Sequence, residues 1–79
     1  MKKQIETMEW NGQTLEISLE PNDVLTRITG EVYANLKVKS LTDNRSLMND
    51  AMPIDLILSA GDAGSFVDVM LSAAMAQAA

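Results

Sequence analysis

The chain contains no cysteine and no histidine. Disulfide scaffolds, zinc fingers, thiolate clusters, imidazole-based metal sites, Ser-His-Asp triads and Cys-His nucleophiles are thereby excluded together. Bases are missing from the C-terminal part: Lys2, Lys3, Arg27, Lys37, Lys39 and Arg45 all precede residue 46, and Asp50, Asp55, Asp62 and Asp68 follow with no base among them. Long apolar runs are missing as well. The longest charge-free apolar stretch, 69–79, has 11 residues, against the ~20 of a bilayer-spanning helix. The opening MKKQIETMEW meets acids within a few residues and lacks the apolar region of a secretory signal. A cytoplasmic location is expected, and the lack of cysteine is compatible with a reducing compartment.

What is present is the balance of a folded domain: 79 residues, 47% apolar and 22% charged. One domain over 1–79 is expected, with a small core, since a chain of this length buries only ~60% of its extended surface. Eleven acids against six bases give a net charge of −5. That charge opposes attraction to phosphate backbones and anionic lipid, so neither nucleic acid nor a membrane is an expected partner.

The clearest local signal is Asn11-Gly12, the favoured pair of a two-residue type I′ turn. It predicts a β-hairpin over 3–20, with Trp10 opposite Gln13, Met8 beside Leu15, and Leu15, Ile17 and Leu19 on one face. Gln4 and Glu6 share the Met8 and Trp10 face, which points to an edge strand or a bulge in the first strand. From Pro21 the period becomes helical through Val24, Leu25 and Ile28, with Asp23 near the N-terminus and Gly30 past the end, giving a short helix over 21–29. Strict alternation of Val32, Ala34, Leu36 and Val38 then predicts a strand over 31–40. A helix continued through Val32 and Leu36 is the alternative for 31–39.

Residues 41–50, rich in Thr42, Asp43, Asn44 and Ser46, read as a polar loop. Two helices follow, over 51–60 with Asn49 or Asp50 as cap, and over 65–77 with Ser65 and Asp68 resembling a capping box. The turn between them is Asp62-Ala63-Gly64. The expected fold is α+β: a hairpin and a third strand in a small ββαβ sheet, packed by a C-terminal helical hairpin.

No catalytic constellation emerges, and neither a cofactor nor a metal is expected. Asp43-Asn44-Arg45 puts a base where the third position of a calcium loop needs an oxygen ligand. Gly61-Asp62-Ala63-Gly64 follows a helix and lacks the lysine and serine of a phosphate-binding loop. Ser46-Leu47 is similar to part of the prosthetic-serine motif of acyl carrier proteins, but Arg45 stands where that motif has Asp. Methionine is abundant, with six residues, and fills irregular cores or serves adaptable binding surfaces. The last helix carries Phe66, Val67, Val69, Met70, Leu71, Ala73, Ala74 and Met75 nearly all round, and a terminal helix of so small a domain cannot be enclosed on every side. The expected partner-binding residues are Asp55, Asp62, Phe66, Asp68, Met70, Ala74 and Met75. They would serve a protein partner, a homodimer through the last helix, or both.

Residues 9–28, EWNGQTLEISLEPNDVLTRI, resemble the start of small tail-assembly chaperones of tailed phages, in which a strand, a tight turn, a second strand and a helix lead into an α-helical remainder. The resemblance covers that segment only. It implies a non-catalytic protein that coats an aggregation-prone tail component before assembly, and it carries no functional residues across. The expected strand at 31–40 departs from such a helical remainder. Two functions follow as expectations: an adaptor or assembly chaperone using an apolar C-terminal helix, or an acidic inhibitor of a basic protein site, such as an immunity protein, an antitoxin or a phage-encoded defence antagonist.

Overall fold

The computed structural model describes residues 2–78. Asn11 and Gly12 have φ of 50° and 76°, the left-handed pair that a type I′ turn requires. They join β1 (Gln4–Trp10) to β2 (Gln13–Pro21), with Trp10 opposite Gln13 and Met8 opposite Leu15. β1 is an edge strand with an unshifted register. Its position at the sheet edge, and not a bulge, accommodates Gln4 and Glu6.

The helix placed over 21–29 is shorter, α1 (Asp23–Thr29). Pro21 closes β2 opposite Ala34 instead of opening the helix, a position where a residue without N–H ends the ladder. Asn22 is the cap: its side-chain oxygen accepts from Leu25 N–H at 3.0 Å, and its own N–H donates to the Tyr33 carbonyl at 2.9 Å. Gly30, at φ 80°, donates to the Thr26 carbonyl and stops the helix. This stop excludes a helix over 31–39. The chain turns instead into β3 (Tyr33–Ser40), antiparallel to β2. Val32, expected on the apolar face of that strand, precedes it and is exposed.

Reading 41–50 as a loop is the main correction. Leu41–Asn44 is a turn with Asn44 left-handed at φ 53°. It is pinned by Asp43 N–H donating to Ser40 Oγ and Thr14 N–H donating to Thr42 Oγ1, both at 3.1 Å. Beyond it lies β4 (Arg45–Pro53), so the sheet has four antiparallel strands in the order β1-β2-β3-β4 where three were expected. Met48 faces Val38 and Ser46 faces Lys39, leaving Leu47 without a partner. This bulge sets two apolar residues side by side and breaks the period-two pattern by which the strand would be recognised.

Because Ala51–Pro53 still pair with β3, the helix read over 51–60 shrinks to α2 (Ile54–Leu58), with Pro53 as a cap that makes no side-chain bond. α3 (Ala63–Ala78) begins earlier than the expected 65. The architecture is α+β, with α2 and α3 against one face of the sheet. Leu15, Ile17 and Leu19 of β2 and Ala34, Leu36 and Val38 of β3 are buried against Ile57, Phe66 and Val67. Ile57 is the single buried residue of α2, and α1 buries none.

Candidate interaction surface

Polar contacts at the α3 surface cap the helix and tie it to the hairpin, beside the apolar packing of Phe66 and Val67 on the sheet. Asp62 is the N-cap of α3: its Oδ1 accepts from Ser65 N–H at 2.7 Å and its carbonyl from Phe66 N–H at 3.0 Å. The Ser65–Asp68 capping box expected from the sequence is thus displaced by three residues. The Ser65 hydrogen bonds, backbone first, hold the Asp62 carboxyl below its ordinary value of 3.8, against a smaller opposing effect of burial. Asp68, one turn further on, accepts from Trp10 Nε1 at 3.1 Å and from Ser72 Oγ at 3.3 Å. The sole tryptophan of the chain therefore ties β1 to α3. Gly64 faces β1 here: a Cβ there would make ordinary contacts, 3.5 Å from Glu6 Oε1 and 3.9 Å from Met8 Sδ.

Two clefts open beside the helical layer, one at α3 and one at α2. One, of about 330 Å³, lies between the C-terminal half of α3 and the sheet, and Trp10, Gln13, Arg45, Leu47, Ala74 and Met75 are among the residues lining it. Gln13 Oε1 is buried without a hydrogen-bond partner among the described residues. The other, of about 320 Å³, lies at the opposite end between Leu19, Val32, Ile54 and Leu58, with Lys2 and Gln4 at its mouth. In and around the clefts the layer exposes large apolar side chains. Val69 on α3 is 60% exposed and Leu58 on α2 54%, and Leu56, Met70 and Met75 are exposed as well.

The residues singled out from sequence are thus divided. Met70, Ala74 and Met75 are exposed on α3, and Ala74 and Met75 share the first cleft. Asp55 is exposed in the first turn of α2. Phe66 is buried in the core and faces no partner. Asp62 and Asp68 are exposed but occupied, one as cap and the other by Trp10. Sequence reasoning missed Leu56, Leu58 and Val69 as surface residues, and Arg45 and Leu47 as cleft walls. For Leu56 and Leu58 the signal was absent, because Leu56, Ile57 and Leu58 are consecutive and equally apolar and only the packed helix tells inside from outside. For Arg45 and Leu47 it was hidden by the bulge.

Among the described residues no three carboxylates stand close enough to hold a metal ion, and no helix is long and apolar enough to cross a membrane. Comparison with protein-family models, curated proteins and solved structures finds no match to this chain.

Proposed function

We propose that this protein is a non-catalytic, acidic protein-binding module whose partner docks on the layer formed by α2 and α3. The observation that carries the reading is that the helical layer exposes five large apolar side chains, Leu56 and Leu58 on α2 and Val69, Met70 and Met75 on α3, with no base among them. Isolated exposed hydrophobics need no explanation, but a layer that shows five of them in so small a domain marks an interaction surface. The methionines suit it, since flexible thioethers adapt to the shape of what they meet. The resemblance of 9–28 to tail-assembly chaperones supports an adaptor or assembly chaperone that covers an aggregation-prone protein. The sheet that follows this segment departs from the helical remainder of such proteins, so the reading rests on the apolar layer. A second copy of the chain meeting the same surface through α3 is the homodimeric form of this proposal.

The acidic-inhibitor reading draws on the same layer, which carries Asp55, Asp62 and Asp68 and no base. Two of these acids are already engaged, by the α3 cap and by Trp10, leaving Asp55 as the open carboxylate, so it is the weaker reading. Capture of the partner on immobilised protein at rising salt separates the two, because charge-led contacts weaken steeply with ionic strength and apolar ones do not. Retention through ~0.5 M salt, lost in Met70→Asp, supports the apolar surface. Release at moderate salt with Met70→Asp still binding supports the inhibitor.

A further inference from the structure

β4 leaves one side of the sheet open. Ile54 N–H donates to the Val32 carbonyl, which fixes the phase of the ladder: the backbone groups of Met52 and Asp50 turn toward β3, those of Ala51 and Asn49 turn outward, and beyond the bulge those of Ser46 do so too. Pro53 falls on an outward position, where its missing N–H costs no bond to β3.

Along this edge the chemistry is self-complementary. Arg45-Ser46-Leu47 reads cation, polar, apolar, and Met48-Asn49-Asp50 reads apolar, polar, anion. In a regular strand Arg45 and Asp50, five residues apart, would lie on opposite faces. The bulge at Leu47 rephases the strand, so that Arg45, opposite Ser40, and Asp50, opposite Leu36, both stand on the helical face. A regular strand pairs symmetrically with a second copy of itself only about a residue, which then meets its own like. The bulged strand can pair about the Leu47–Met48 bond.

From this we infer that β4 pairs antiparallel with β4 of a second copy about the Leu47–Met48 bond, joining two sheets into one of eight strands. In that register Arg45 meets Asp50 of the second copy, Ser46 meets Asn49 and Leu47 meets Met48, each pair on a matching face. The pairs Ser46–Asn49 are also those whose backbone groups point outward, so each exchanges two N–H to C=O bonds across the interface. Among the described residues neither Arg45 nor Asp50 has an ion-pair partner; the ion pair there is Lys3–Glu20. The opposite edge does not offer this. At β1 the symmetric register that would match Lys3, just before the strand, with Glu9 sets Glu6 against its own copy. The inference is independent of what docks on α2 and α3.

The test is sedimentation equilibrium of the full chain at physiological salt from 5 to about 500 µM, a range that spans the affinity of a modest interface. The wild type is expected to dimerise. Arg45→Asp sets two carboxylates opposite each other at two symmetric places, and Asp50→Arg sets two guanidiniums, so each alone should raise the dissociation constant at least tenfold. The double variant R45D/D50R restores both pairs and should return it to within about threefold of the wild-type value. Asn49→Pro removes an outward donor that β3 does not use and should also give a monomer, with an unchanged circular dichroism spectrum reporting an intact fold. A wild type that stays monomeric throughout overturns the inference. So does a dimer indifferent to R45D, N49P or both, or a double variant no tighter than the singles. A dimer broken by Met70→Asp alone would place the contact on α3 and overturn it as well.

Discussion

Leu56, Ile57 and Leu58 are three consecutive aliphatic residues that the structure treats very differently, and the difference can be weighed. Ile57 is fully buried against the sheet and is the one fully buried residue of α2, whereas Leu58 is 54% exposed. Truncating a buried isoleucine to alanine costs ~2–5 kcal/mol, less where the surroundings can close over the gap. α2 has only five residues, and a short helix can settle inward, so Ile57→Ala should cost about 3 kcal/mol. For a chain of 79 residues the total stability is on the order of 4–12 kcal/mol. The variant would therefore lose a quarter or more of it, and its melting temperature should fall by roughly 12–24 °C. Leu58→Ala removes a side chain already half in water and should cost below ~1 kcal/mol. Urea denaturation followed by circular dichroism measures both. Equal losses for the two variants, or a larger loss for Leu58→Ala, would refute this orientation of α2 and with it the outward apolar surface.

The hairpin turn gives a second test: Gly12→Val places a β-branched residue at φ 76° and should cost ~1–3 kcal/mol, so an unchanged melting temperature would remove the type I′ turn. Asp62 has a lowered carboxyl value, and its cap is therefore fully stabilising above the ordinary value of 3.8 and is lost as pH falls through the lower folded value. Asp62→Asn, which keeps the accepting oxygen without the charge, should flatten that part of the acid denaturation curve, and an unchanged curve would remove Asp62 as the titrating cap. Asp68→Ala frees the indole of Trp10, the only tryptophan, and should shift its fluorescence to longer wavelength with little loss of stability, whereas an unshifted emission would deny the Trp10–Asp68 bond. Fluorescence anisotropy with duplex DNA should show no binding at micromolar protein and physiological salt, because residues 46–79 carry no base to displace counterions.

What was legible in the sequence was local chemistry. Asn11-Gly12 fixed a turn type, and the turn type fixed the register of Met8 on Leu15, because both positions must be left-handed and few residue pairs allow it. Gly30 marked the end of α1 for the same reason. Strict alternation over 32–38 identified the strand that became the centre of the sheet, with Leu36 and Val38 in its core. β4 was illegible because the bulge at Leu47 breaks its alternation and because Asp50, on the inward-facing side of an edge, looks like a loop residue or a helix cap. Its polar stretch and the apolar run after it were consequently divided in the wrong place, and Ala51–Pro53 went to a helix. In α3 the composition showed an excess of apolar surface, yet it could not tell the buried Phe66 from the exposed Val69. That distinction depends on which side of α3 packs on the β2–β3 core and which is tied to Trp10 through Asp68.

The most direct test of the α2–α3 surface is methyl NMR of the full chain, titrated with the partner recovered on immobilised protein. The methyl signals of Leu58, Val69, Met70 and Met75 should shift or broaden in step with binding, while Ile5, exposed on the other side of the sheet, stays unchanged. Perturbation confined to Ile5 and its neighbours, with the α2 and α3 methyls unmoved at saturation, would contradict the proposed interaction surface.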